Sequence, residues 1–179
     1  MNIGHSRLHR WGLEAAEIHP CDKVLDVGCG GGRAIARILA RTRREVAGVD
    51  HSPEAVETTR RLNRSAIASG RLRVLEGSVD HLPFRDGFFD VVTAFETTYF
   101  WPDLQAGLIE IRRVLSPGGR LVITNEVADR EAAGRWAERL DMNVPDGRSL
   151  TGLAHEAGFL TADISLHPRH GWLRLLTTR

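Results

Sequence analysis

Apolar positions along this chain switch repeatedly between the spacing of a strand and that of a helix. Val24-Leu25-Asp26-Val27 is a short apolar run holding one carboxylate, and Gly28-Cys29-Gly30-Gly31-Gly32 breaks it abruptly. Ala34, Ile35, Ile38, Leu39 and Thr42 then recur at helical spacing, with Arg41, Arg43 and Arg44 closing that helix. Residues 45–50 form a second apolar strand, followed by a helix that Ser52 caps, with Pro53 in its first position and Glu54 in its first turn. Residues 71–76 alternate as a third strand, and residues 88–95 follow an Asp86-Gly87 turn as a fourth. Leu104, Leu108, Ile111 and Leu115 mark a helix that Ser116-Pro117-Gly118-Gly119 stops, and residues 120–126 make a fifth strand.

The ends of the chain carry weaker patterns. Residues 6–18 place Leu8, Trp11, Gly12, Ala15 and Ile18 on one helical face, with His5 and His9 beside it and a Pro20-Cys21-Asp22 turn behind it. Ala132, Trp136 and Leu140 share a face, and Leu150, Leu153, Ala154 and Ala157 mark a short helix ended by Gly158. Two last strands fall near 161–167 and 172–177. This alternation predicts an α/β fold around a mostly parallel sheet. The chain reads as one domain over 1–179: a cap helix in 1–20, a ligand-binding core in 21–126, and C-terminal helices with the last two strands in 127–179.

Composition narrows the function. At 179 residues, 42% hydrophobic and 26% charged, the chain supports one well-cored domain. A formal charge of +1 provides no overall field toward nucleic acid or a membrane surface. Cys21 and Cys29 alone make no secreted-type disulfide framework. The first residues lack the apolar core of a signal peptide, and no run is long enough to span a bilayer, so a cytoplasmic location is expected. Neither a metal nor a nucleic-acid partner is expected.

The chemistry starts at the glycine turn. Strand, glycine turn, helix points backbone N–H groups and a helix N-terminus at a ligand. The spacing Gly28-x-Gly30-x-Gly32 differs from the dinucleotide fingerprint, whose third glycine would fall where Arg33 stands. Cys29 fills a place in the turn that wants a small residue. Asp50 ends the second strand 22 positions after Gly28, where a carboxylate is placed to accept both hydroxyls of a ribose. Ser52 already supplies the helix cap, which leaves Asp50 free for that role. Tyr99-Phe100-Trp101 follow the fourth strand at the sheet end where open α/β folds bind ligands.

Asp26 two positions before G-x-G-x-G resembles motif I of the class I S-adenosylmethionine-dependent methyltransferases. Gly77-Ser78-Val79-Asp80-His81-Leu82-Pro83-Phe84 is similar to their segment G-D-A-x-x-L-P-F, with Ser78 where an acidic residue is usual. Glu110-Ile111-Arg112-Arg113-Val114-Leu115-Ser116-Pro117-Gly118-Gly119 looks very like their E-x-x-R-V-L-x-P-G-G signature, the most specific match in the chain. The resemblance is to the small-molecule, type 11-like members and implies a Rossmann-like three-layer sandwich, its seven-stranded sheet closed by an antiparallel last strand. It implies S-adenosylmethionine as cofactor, held by Asp26, Gly28, Cys29, Gly30, Gly32, Asp50, His51, Ser78, Val79 and Phe95. His5, Glu96, Tyr99 and Trp101 would face a small-molecule acceptor. His5, Glu96 and Tyr99 are candidate bases for an acceptor that must lose a proton, and none is assigned that role. The tetrapeptide of nucleobase and amide methylation, [D/N/S]-P-P-[Y/F/W], is absent. A nicotinamide-dependent oxidoreductase would share the turn and Asp50, but not Arg33 or the Pro117-Gly118-Gly119 signature. A non-catalytic S-adenosylmethionine-binding module stays open.

Overall fold

In the computed structural model, residues 5–134 and 143–179 are described, so Trp136 and Leu140 lie outside the described residues. The strands are β1 (Val24–Val27), β2 (Val46–Asp50), β3 (Leu72–Glu76), β4 (Phe89–Phe95), β5 (Leu115–Asn125), β6 (Asp163–Leu166) and β7 (Leu173–Thr178). They form one sheet in the order β3-β2-β1-β4-β5-β7-β6. β1 to β5 are mutually parallel, whereas β7 pairs antiparallel with both β5 and β6. Strand order reverses direction at β1, where the chain has built outward to β3 and restarts at β4. Ligands in such sheets bind at that switch point, beyond the carboxyl ends of the strands.

Period-2 alternation gives every central strand two different faces. Leu25, Val27, Val92, Ala94, Leu121 and Ile123 pack on the side of α5 (Leu104–Val114) and α7 (Gly147–Glu156). Val24, Val91, Phe95 and Val122 pack on the other side, under α1 (His5–Ala16), α2 (Arg33–Leu39) and α3 (Pro53–Leu62). The short helices α4 (Arg64–Ala68) and α6 (Arg130–Ala133) complete the described set. This is the three-layer sandwich the sequence implied. Both faces of the inner strands are buried, so they read as near-continuous apolar runs.

Two local expectations change. The buried face of α1 is Leu8, Gly12, Leu13 and Ala16, rotated from the expected stripe. Trp11 leans out of it, its ring 6.3 Å from that of Trp172 and beneath the Arg174 guanidinium. The stripe turns because Gly12 is where α1 touches the sheet. A Cβ there would stand 2.5 Å from both Phe95 and Thr124.

The Ser116–Gly119 stretch is also no simple helix-to-strand turn. Leu115 already pairs with Phe89 and the next paired residue is Arg120 with Val91, so residues 116–119 loop out of the strand. The loop is tied to the C-terminus: Gly118 N donates to Arg179 O, and Arg179 N donates to Gly119 O. The charged half of the signature holds the segment between β3 and β4. Arg113 donates to the carbonyls of Leu82 and Phe84 and pairs with Glu110 and Asp86, while Glu110 accepts from Leu82 N at 2.9 Å. That clamp sets the path of the chain just after Ser78 and Val79.

Candidate functional site

The carboxyl ends of β1, β2, β4 and β5 border a cleft of about 710 Å³. Its floor is the glycine turn. Gly28 and Cys29 each donate a backbone N–H to Val49 O, which pins the turn to the end of β2. Gly28, Gly30 and Gly32 all adopt positive φ, a region that L side chains enter only with strain. Their surroundings differ. A Cβ on Gly30 would meet nothing within 4 Å, so this backbone lies open to the cleft. Gly32 was expected to cradle the ligand, but it is buried against Thr59 of α3 and Asn63 at that helix's C-terminal end, and the half-buried Gly31 lines the cleft. Cys29 contributes backbone to the floor. Its thiol is buried beside Thr59, and burial pushes its pKa well up, which leaves it inert as a nucleophile.

Asp50 stands at the end of β2 as expected and is almost wholly buried. One carboxylate oxygen accepts from Gly30 N at 2.8 Å and the other from Ser52 N at 3.0 Å. The carboxylate therefore joins the glycine turn to the N-terminus of α3, which Ser52 caps by accepting from Ala55 N. Each oxygen keeps a further acceptor position. Asp26 is buried one layer below and accepts from Thr93 Oγ1 at 2.6 Å. Burial pushes its carboxyl up to about 7, with the Thr93 bond opposing and the Asp50 charge adding to the rise.

Because the folded state keeps this proton to about pH 7 and the unfolded chain releases it near pH 3.8, the contribution to stability has a definite sign. It is complete below about pH 4, shrinks as pH rises toward 7, and is flat above. The difference corresponds to at most about 4 kcal/mol. Asp26→Asn, which retains a carbonyl acceptor for Thr93, is expected to gain thermal stability over the parent between pH 5 and 8. Parallel melting curves that keep a constant separation across that range would refute the assignment.

A smaller recess of about 150 Å³ adjoins the cleft past Asp50, lined by Val49, His51, Gly77, Ser78, Val79 and Trp101 among others. Gly28, Asp50, His51, Thr97 and Phe100 border both spaces. The structure thus places His51, Ser78 and Val79 together, one step from the carboxylate at the end of β2. Asp80, the acidic residue two positions beyond Ser78, does not line this recess.

The far wall of the cleft is the loop after β4. Phe95 is 7% exposed and its ring lies 4.9 Å from that of His9. Of the three adjoining aromatics, Tyr99 is 3% exposed, Trp101 is 7% exposed and Phe100 is 51% exposed. Tyr99 lines the cleft, but its hydroxyl is engaged on both sides, accepting from Val127 N and donating to Val127 O. Burial pushes its pKa well up, so it is no base. Trp101, expected to face the acceptor, is instead core beside Gly107, with Nε1 on Thr97 Oγ1, and it borders the small recess but is not among the residues lining the main cleft. The residue left at the mouth is Phe100, which sequence reasoning passed over. A 3₁₀ turn at Thr98–Phe100 turns its neighbours inward and this ring outward.

His5, Glu96 and Glu126 meet at one end of the cleft. His5 Nε2 is 3.8 Å from Glu126 Oε2, and Glu96 Oε1 accepts from Glu126 N. Burial pushes the Glu96 carboxyl up to about 8; the Glu126 N–H opposes and the Glu126 charge adds to it. His9, deeper on α1, is lowered to about 4 by burial, helped by the Arg37 and His5 charges. Glu126 was also missed, although it follows β5 just as Glu96 follows β4.

A glycine floor, a carboxylate at the end of β2 and a cleft at the switch point define an α/β protein built to hold a nucleoside-bearing ligand. Comparison with known proteins makes this specific. Residues 25–123, more than half of the chain, match the family described as methyltransferase domain, and the chain belongs to that family. O-methyltransferase cnsE of Penicillium expansum is 30% identical over 149 residues, covering 80% of this chain and 54% of its own length. The chain spans 54–64% of the length of three fungal O-methyltransferases that it matches. Among solved structures, a SAM dependent methyltransferase from Aquifex aeolicus aligns with a TM-score of 0.82 at 17% identity, over 99% of this chain and 93% of that one. Geranyl diphosphate methyltransferase in complex with SAM aligns with a TM-score of 0.82 at 18% identity, over 97% and 85%. At these identities the structures bear on the fold alone.

Proposed function

We propose that this chain is an S-adenosylmethionine-dependent methyltransferase acting on a small molecule. The observation that carries the reading is the Asp50 carboxylate, held by Gly30 N and Ser52 N between an open glycine backbone and the recess of His51, Ser78 and Val79. A ribose on Asp50 would set its base into that recess and its amino-acid tail along Gly28, Gly30 and Gly31, toward Asp26. The donor supplies a methyl group on an already activated sulfonium. The chain's part is then to bind, orient and exclude water. Oriented reactants of this kind gain on the order of 7–11 kcal/mol. Phe95, Tyr99 and Phe100 form the wall where the reacting carbon would sit, and ring faces favour the sulfonium's positive charge.

Calorimetric titration with S-adenosylmethionine, S-adenosylhomocysteine and NAD tests the donor site. One equivalent of each of the first two and none of NAD is the expected result. NAD binding without the others overturns the reading. Methyl transfer to any member of a panel of hydroxylated small molecules then separates an enzyme from a binding module.

A further inference from the structure

Three side chains able to ligate a metal converge at the acceptor end of the cleft. His5 comes from the first turn of α1, Glu96 from the residue after β4 and Glu126 from the residue after β5. One nitrogen or oxygen from each lies within 4.8 Å of the others. The His5–Glu126 separation of 3.8 Å is too long for a good hydrogen bond. Donor atoms bound to one ion at about 2.0–2.2 Å stand roughly 3–3.5 Å apart, so rotamer adjustments of about 1 Å close the triangle.

We propose that His5, Glu96 and Glu126 form a site for a first-row divalent cation. Three arguments favour a cation over a bare polar patch. Two carboxyl groups with oxygens within 4.8 Å of each other offer a strongly electronegative site that a divalent charge neutralises. One imidazole with two carboxylates is a mixed N/O donor set suited to first-row divalent ions, whereas magnesium prefers oxygen alone. All three side chains line the cleft, so an ion among them would keep positions open toward its lining of Phe95, Tyr99 and Phe100. An ion there would hold an acceptor hydroxyl and make its O–H more acidic. The hydroxyl proton then leaves to water as the methyl group passes to oxygen, releasing S-adenosylhomocysteine. The inference rests on the proposed function only in calling this half of the cleft the acceptor side; binding of the ion does not depend on the donor.

Mn²⁺ alone is the probe. Titration of the whole chain, followed by the loss of the free Mn²⁺ electron-resonance signal, is expected to show one ion per chain. Glu126→Gln and His5→Ala should each weaken it at least tenfold, while S-adenosylhomocysteine affinity in the same variants changes less than threefold. Glu126 is exposed, so its glutamine variant is a test in which the fold is preserved. Absence of bound Mn²⁺ at millimolar concentration overturns the proposal, as does binding that either substitution leaves unchanged. Failure of the donor titration leaves this measurement intact, so the two readings fail separately.

Discussion

Gly28→Ala is expected to lose about 3–5 kcal/mol of stability, a fall of roughly 10 °C in the midpoint of thermal unfolding, and to lose measurable donor binding. Two costs combine. Its φ of +69° lies in the left-handed region, where an L residue costs about 1–2 kcal/mol. The added Cβ would also stand 2.0 Å from Thr97 Oγ1 and 2.5 Å from Thr97 Cβ. Thr97 cannot simply withdraw, because it is followed by the buried Thr98 and its hydroxyl accepts from Trp101 Nε1. Gly30→Ala separates the two effects. Its Cβ would enter open space, so only the backbone strain applies and the fold survives, but the methyl group would occupy the surface on which the ligand lies. Differential scanning fluorimetry and calorimetric titration on both variants check this. Equal melting temperatures for the two, or donor affinity unchanged in Gly30→Ala, would refute the role given to the turn.

Asp50→Asn is expected to weaken S-adenosylmethionine binding roughly 10–100-fold, the effect of losing charge-assisted hydrogen bonds at about 1.5–3 kcal/mol. The same change disturbs the empty protein. An asparagine offers one acceptor oxygen where two backbone N–H groups, of Gly30 and Ser52, now find one each. The amide NH₂ would face an N–H, leaving a nearly buried donor unpaired at a cost of about 1–3 kcal/mol. Affinity and stability should therefore fall together, and saturating S-adenosylhomocysteine should restore little of the melting temperature. An undiminished affinity in this variant would move the ribose away from Asp50.

Much of the site was legible because it sits on the main chain or at strand ends. A glycine spacing, a carboxylate 22 residues on and an aromatic loop after the fourth strand each hold a fixed place relative to the sheet. Gly32 and Trp101 show where linear reading stops. Both lie in the right segment, but Gly32 faces α3 and Trp101 faces the core and the small recess, since a turn that changes direction within two residues distributes neighbouring side chains to opposite sides. Phe100 and Glu126 were missed for the same reason. Nothing in the order Tyr-Phe-Trp says which ring a 3₁₀ turn leaves outside, and nothing near residue 126 says that residues 5 and 96 stand beside it.

By itself, then, the sequence determined the layered α/β architecture, the position of the glycine turn and the carboxylate at the end of the second strand. Those features depend on periodicity, backbone freedom and fixed offsets along one strand–turn–helix unit, which are local. The tertiary structure alone decided which of the loop aromatics opens on the cleft, which glycines line the cleft and which pack against α3, and that a histidine of the first helix meets two glutamates from the ends of separate strands. Those are matters of packing between segments up to 121 positions apart, from His5 to Glu126. Contacts of that kind arise only when the sheet assembles its strands out of sequence order.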